Sequence, residues 1–310
     1  MTRSIRSVAV SALAALVALT AGALPVLARE STTTATGNDI SWPHCGRTYP
    51  TGQAFGIVGV NGGLANNQNP CFAGELSWAW TSTGTSAPGI LPKTALSVNT
   101  SDPGQVVPAV ADWPTSNVDP NGASEAPGAT NPDPFGSCTG SNSTACAWQY
   151  GWDRAVQDML WLIATSPIGG SNLPSAYAWW LDVETVNSWE TGSSGLANNL
   201  ADLQGMVAAF SNTAEVTAAG VHVGGASTVG IYTTSAQWNQ ITGNPGAAGL
   251  GKLAGLPDWI PGSRTLTAGP QSNCSLKGYT GVVTITQWFA KPYDADYACK
   301  VWRATVASTT

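Results

Sequence analysis

The run Tyr177-Ala178-Trp179-Trp180-Leu181-Asp182-Val183-Glu184-Thr185 decides the fold of this chain. It is apolar and aromatic, too short for an independent helix, and ends in two carboxylates separated by one valine. That pattern reads as a buried strand. Alternation along a strand sends Asp182 and Glu184 to one side together with Trp180, and Leu181 and Val183 to the other. At ~3.3 Å per residue the two acidic positions stand ~6.6 Å apart. A desolvated carboxylate requires a partner or a raised pKa, and paired acids with shifted pKa values are what acid/base chemistry on a glycosidic bond uses. The competing structural reading has both acids capping the next helix or pairing with Arg154 or Lys252.

Working outward, the neighbouring segments repeat one theme. Strands are expected at Asn38–Trp42, Ala54–Asn61, Thr94–Thr100, Val229–Thr233, Asp258–Ile260 and Val282–Trp288. Between them, apolar residues at helical spacing predict helices over Cys71–Trp80, Ala147–Ala164, Leu196–Phe210 and Ala236–Ile241. Buried strands alternating with helices imply parallel pairing through right-handed crossovers. Seven or eight such strands predict a single (β/α)8 barrel of the TIM type, with some irregularity. Residues 101–145, rich in Pro, Gly, Asn and Ser, are expected as a long loop beside the site rather than a second domain. No G-x-G-x-x-G or P-loop supports a nucleotide-binding sheet.

The ends of the chain carry other signals. Arg3 and Arg6 precede an apolar segment from Val8 to Leu19 and small residues up to Ala28, the pattern of a secretory signal peptide over 1–28. A polar leader is expected over 29–37, the barrel over 38–300 and a tail over 301–310. No later run is long and apolar enough to span a bilayer. Removing Arg3 and Arg6 with the signal takes the formal charge from −6 to about −8. An acidic chain without a basic cluster argues against nucleic acid and suits a neutral polymer such as a polysaccharide. A monomer is expected.

Six cysteines in an exported chain point to three disulfides, for which fifteen pairings exist. Sequential pairing is favoured: Cys45–Cys71, Cys138–Cys146 and Cys274–Cys299. With no C-x-x-C and only His44 and His222 as histidines, neither a metal centre nor a cofactor is expected. The same scarcity of histidine, and the lack of G-x-S-x-G, argue against a Ser-His-Asp hydrolase.

In a barrel the site lies at the carboxyl ends of the strands. Asp39, Asn61, Asp182, Glu184, Tyr232, Gln287, Asp294 and Asp296 all fall at or just past such ends, and this convergence favours the functional reading of the acids. Trp42, Trp180, Trp189 and Tyr232 flank the acids as candidates for stacking against sugar rings, and His44 lies close to Asp39. Trp148, Trp152 and Trp161, at helical spacing, belong to the core.

The pieces Asn38-Asp39-Ile40-Ser41-Trp42, Leu181-Asp182-Val183-Glu184, Gly230-Ile231-Tyr232-Thr233 and Gln287-Trp288 resemble glycoside hydrolase family 25, the lysozyme-like muramidases. Over nearly its whole length after the leader, the chain also looks like secreted actinobacterial proteins of unassigned function with the same Trp-Trp-Leu-Asp-Val-Glu-Thr core. The Asp-x-Glu ending is similar to that of family 18 chitinases. The resemblance implies Glu184 as general acid and Asp182 as the group that holds a substrate's 2-acetamido arm. It further implies that Asp39 tunes Glu184 or holds substrate, and that Asp296, or in its place Asp294, is a fourth acid near the floor. Asn61, Trp180, Tyr232, Gln287, Trp42 and Asp294 would bind the glycan, with peptidoglycan or a related polysaccharide as substrate. Two aspartates at the end instead of one, and the 101–145 insertion, depart from the family pattern. A non-catalytic glycan-binding or wall-associated protein on a degenerate barrel is the alternative, and a wall or spore-coat protein a third.

Overall fold

Every polar backbone group of a buried strand must find a partner, and a sheet closed on itself leaves no edge unpaired. The computed structural model describes residues 36–84, 93–103, 113–118, 133–212, 223–226, 228–263 and 272–299, all within one compact unit, Thr33–Thr310. The expected signal peptide and tail lie outside the described residues, as does His222. Eight strands close into a barrel in sequence order: β1 Thr36–Ile40, β2 Gly56–Gly59, β3 Thr94–Asn99, β4 Ala178–Asp182, β5 Thr228–Tyr232, β6 Asp258–Ser263, β7 Val283–Ala290 and β8 Tyr293–Ala298. Four helices, α1 Phe72–Trp80, α2 Thr144–Ala164, α3 Gly192–Ser211 and α4 Ser235–Thr242, follow strands β2, β3, β4 and β5.

Strands β1 to β7 pair in parallel, as the alternation with helices requires. The closing strand departs from the ideal pattern. β8 is antiparallel to both β7 and β1, because only Lys291-Pro292 separates β7 from β8. A two-residue connection can only fold back, whereas a parallel crossover needs a dozen residues or more. The first strand also begins two residues earlier than expected, drawing Thr36 and Gly37 out of the polar leader and into the barrel.

Alternation divides the core in two. Trp179, Leu181 and Val183 of the β4 segment face the helices, alongside Leu96 and Val98 of β3, and pack against Trp148, Trp152, Leu203 and Phe210. Ala178 and Trp180 face the barrel axis with Phe55, Ile57, Ala95, Trp259 and Ile285. Trp180 and Trp259 meet edge to face at 5.9 Å and fill the interior as a plug. Such bulk demands a gap on the next strand. Gly230 supplies it, since a Cβ there would lie 2.3 Å from a Trp180 ring carbon and 2.8 Å from the Pro257 carbonyl.

The three disulfides follow the sequential pairing, Cys45–Cys71, Cys138–Cys146 and Cys274–Cys299, with Cα separations of 5.6, 4.5 and 5.6 Å in the ordinary range. They tie the loop after β1 to the start of α1, the end of the 101–145 excursion to α2, and the β6–β7 connection to the end of β8. The excursion's described beginning is buried: Thr100 donates through both its amide and its hydroxyl to the Asp182 carbonyl, and Asp102 N–H donates to the Ser188 carbonyl.

Gly230→Ala forces a methyl group into the Trp180 ring and a backbone carbonyl. It is expected to cost roughly 1–3 kcal/mol, the range for overpacking a filled core. Thermal unfolding that matched the wild-type midpoint would contradict the plug.

Candidate active site

Above the aromatic plug the inward-facing positions turn polar. Asp182 ends β4 and Glu184 follows two residues later. Val183 N–H extends the strand pairing to the Tyr232 carbonyl at 2.9 Å, which keeps the alternation running past the strand's formal end. The Trp189 indole donates to the Glu184 carbonyl at 2.8 Å and secures the turn that follows. Asp182 and Glu184 therefore open into the same pocket, of about 310 Å³, with Asp39 from β1 and Asp294 from β8 on its wall. No lysine, arginine or histidine is among its lining residues.

Carboxylates enclosed without a counter-cation hold their protons more tightly than in water. Burial, and secondarily the charge of Asp294, raise Asp39 to about 7, against hydrogen bonding from Gln287. Asp182 is raised well above its ordinary value by burial, then by Glu184 and Asp39. Asp296, fully enclosed below the pocket, is raised by burial and by contact with the Asp39 carboxyl, while the Trp259 indole works in the opposite direction.

Neutral donors orient these acids. Tyr232 OH donates to Gln287 Oε1 at 2.9 Å, and Gln287 Nε2 donates to Asp39 Oδ2 at 2.9 Å. On the opposite wall Asn99 ends β3. With its amide oriented to satisfy both neighbours, it donates to Asp182 Oδ2 at 3.0 Å and accepts from Leu64 N–H at 3.3 Å. Asn99 is fixed in turn by Asn61, whose Oδ1 accepts the Asn99 backbone N–H at 2.8 Å. The Asn61 amide then donates to the Ala65 carbonyl and to buried Asp158 Oδ1, at 3.3 and 2.9 Å. A chain of hydrogen bonds thus runs from Asp158 on α2 through Asn61 and Asn99 to Asp182. The Gln237 amide of α4 reaches Glu184 Oε1 at 3.3 Å.

Of the residues singled out from sequence, Asp39, Asn61, Asp182, Glu184, Tyr232, Gln287, Trp42 and Asp294 line this one pocket. Others stand elsewhere. Trp180 is fully buried in the plug and touches no ligand space, because it lies one rung below Asp182. Asn61 spends its amide on the protein wall. Trp189 is buried behind Glu184. His44 turns back to accept the Ser41 N–H and packs its ring on Tyr293, with centroids 5.1 Å apart. Strict alternation from Ile40 would send Trp42 to the same side as Ile40. The chain leaves the strand at Ser41, and a short 3-10 turn over Trp42–His44 swings the indole to the rim, where it is 45% exposed. Its ring rests on Gly63, a left-handed residue where a Cβ would come within 2.7 Å of the indole nitrogen. Arg154 points away from the acids and donates to Gln157 on its own helix.

Asn99, Trp259 and Gln237 escaped the sequence reading. Asn99 carried the same signal as Asn61, a polar residue closing a buried strand. Trp259 forms floor rather than rim, edge-on to Tyr232 at 4.4 Å.

Two tests follow from this network. Asn61→Ala leaves the buried Asp158 without its donor and frees Asn99, at an expected cost of about 1–3 kcal/mol in thermal unfolding. The second test is stability against pH. For an acid whose folded pKa is raised, the native state holds a proton that the unfolded chain has released, so its contribution falls as pH rises between the two values. Asp39 and Glu75 at about 7 and Asp258 at about 6 define that window, roughly pH 4 to 7. The unfolding temperature is expected to decline across it, with a shallower decline in Asp39→Asn. A midpoint that rises through this window would refute the proton-rich cluster.

No family model matches the chain, and no curated protein matches it in sequence. Among solved structures it is similar to a muramidase from Trichobolus zukalii, at 15% identity and a TM-score of 0.42, over 88% of this chain and 99% of that one.

Proposed function

We propose that the protein is a secreted retaining glycoside hydrolase acting on N-acetylated or cell-wall glycans, with muramidase-type linkages as the leading substrate. One observation carries this reading: Asp39, Asp182, Glu184 and Asp294, from three separate segments, line a single pocket at the mouth of the barrel with an exposed Trp42 on its rim. The family 25 resemblance of the motifs points the same way. The candidate leader and the three disulfides support an extracellular setting.

In the proposed reaction Glu184 gives its proton to the glycosidic oxygen as the bond to the anomeric carbon breaks. The substrate's own acetamido oxygen attacks that carbon from the other face, held in place by Asp182, whose orientation Asn99 sets. Glu184, now a carboxylate, takes a proton from water. The resulting hydroxide attacks the same carbon, releases the acetamido oxygen and leaves the anomeric configuration retained. Asp39, held by the Gln287 amide and raised by burial, carries less negative charge than a free carboxylate, which suits a neutral sugar. Neutral amides and hydroxyls at Asn99, Gln287 and Tyr232 fit sugar hydroxyls, while the absence of a cation from the lining disfavours acidic rings in the pocket itself.

Glu184→Gln retains the size of the side chain and its hydrogen bonding but cannot transfer the proton. Release of reducing ends from peptidoglycan or chitin-like oligomers is expected to fall about 10²–10⁴-fold, the usual weight of general acid catalysis, with an unchanged fold by circular dichroism. Hydrolysis at the wild-type rate would remove Glu184 from this role.

A further inference from the structure

A pocket of about 310 Å³ stands at the lower end of the range for ligand sites. It encloses a short piece of a polymer, so the rest of a glycan chain must cross the rim. Among the exposed large apolar side chains at that end of the barrel are Trp42 after β1, Val186 after β4 and Phe289 on β7. Trp42 and Val186 line the pocket. Phe289 does not, and no role has been given to it above.

Its position follows from register. On β7, Ile285 packs in the barrel interior and Gln287 lines the pocket, so Phe289 is the next residue on the same face, ~6.6 Å further out. It pairs directly with Asp294, itself in the pocket wall, and directly opposed antiparallel residues have Cβ atoms ~5 Å apart. The ring is 66% exposed. Its hairpin is nonetheless held firmly. Tyr293 OH donates to the Thr48 carbonyl, and the His44 ring packs on Tyr293. Lys291 Nζ lies 5.9 Å from the Phe289 ring centroid, a loose cation–π contact that steadies the ring.

A single exposed phenylalanine is ordinary on a protein surface. One placed on the inward face of a pinned hairpin, one rung above Gln287 and directly beside Asp294, is a surface prepared for a flat apolar face. We propose that Phe289 is a stacking platform for a sugar ring outside the pocket, making the site a cleft that takes several consecutive rings of a glycan. This rests on the glycan reading of the pocket and extends it to chain length: oligomers long enough to reach the rim gain a contact that short ones lack. The platform should therefore favour attack within a polymer over attack on small fragments.

Binding can be measured without turnover by placing Phe289→Ala and Phe289→Tyr in the Glu184→Gln protein and titrating N-acetylglucosamine oligomers of two to six rings by calorimetry. The expected result is a roughly tenfold weaker Kd for the hexamer with Phe289→Ala, about 1.4 kcal/mol. The loss should shrink as the oligomer shortens, and Phe289→Tyr should keep most of the affinity. Equal losses at every length, or none, would overturn the platform while leaving the glycan reading intact. Failure of every oligomer to bind the Glu184→Gln parent would defeat the glycan reading and the platform with it. Because the ring is mostly exposed, thermal unfolding of Phe289→Ala should match its parent and exclude misfolding as the cause.

Discussion

Carboxyl groups gathered above an aromatic plug, with no cation to balance them, set the terms for the rest of this structure. Trp180 and Trp259 close the barrel from below, so water reaches the acids only through the mouth. Desolvation then dominates the shift at each of Asp39, Asp182 and Asp296, ahead of any single neighbour. The protein meets that penalty with protons and neutral amides instead of ion pairs. This lowers the negative charge at Asp39, Asp182 and Asp296, whereas a lysine at the centre would have favoured their ionised forms. The Asn61–Asn99 and Tyr232–Gln287 arrangements follow from that choice, since a partly protonated acid needs a partner whose orientation does not depend on charge.

Much of this was legible from period and position. The β4 run announced a buried strand because its apolar residues were β-prone and its length too short for a helix. Asp182 and Glu184 then had to share a face. The disulfides were readable because each sequential pair joins segments bordering neighbouring elements. What escaped notice has physical reasons. The run Tyr293-Asp294-Ala295-Asp296-Tyr297-Ala298 alternates cleanly, yet acids on the inward face hide the hydrophobic signal of a strand. Only the turn at Lys291-Pro292 betrays the hairpin. Trp180 shares a face with the acids, as alternation demands, but depth along the barrel axis is not written in the period. One rung separates a ligand-facing residue from a plug.

The reversed last strand also explains the two aspartates that the sequence left ambiguous. Running antiparallel, β8 enters the barrel at the mouth and descends, so Asp294 comes before Asp296 in both sequence and depth. Asp294 pairs with Asp39 at the pocket wall, and Asp296 lies opposite Gly37 and Gln287 below it. On a parallel strand the order would be inverted, with the later residue nearer the solvent. The two acids are therefore not alternatives for one position: one borders the pocket and the other supports Asp39 from beneath.

Depth then assigns different capacities to chemically identical groups. Asp296 is wholly enclosed beneath the pocket, so it acts on a ligand through the field at Asp39 and not by contact. Asp182 lies between, one oxygen held by Asn99 and the other enclosed without a hydrogen-bond partner, an acceptor that a substrate amide N–H would suit. Glu184 stands beyond the end of β4, on backbone secured by Val183 and Trp189, with Gln237 beside one oxygen. In the proposed reaction this is the place from which a proton passes to a ligand and later returns from water. The division of roles follows from how far each strand carries its acid toward the mouth, not from any difference in the carboxyl groups.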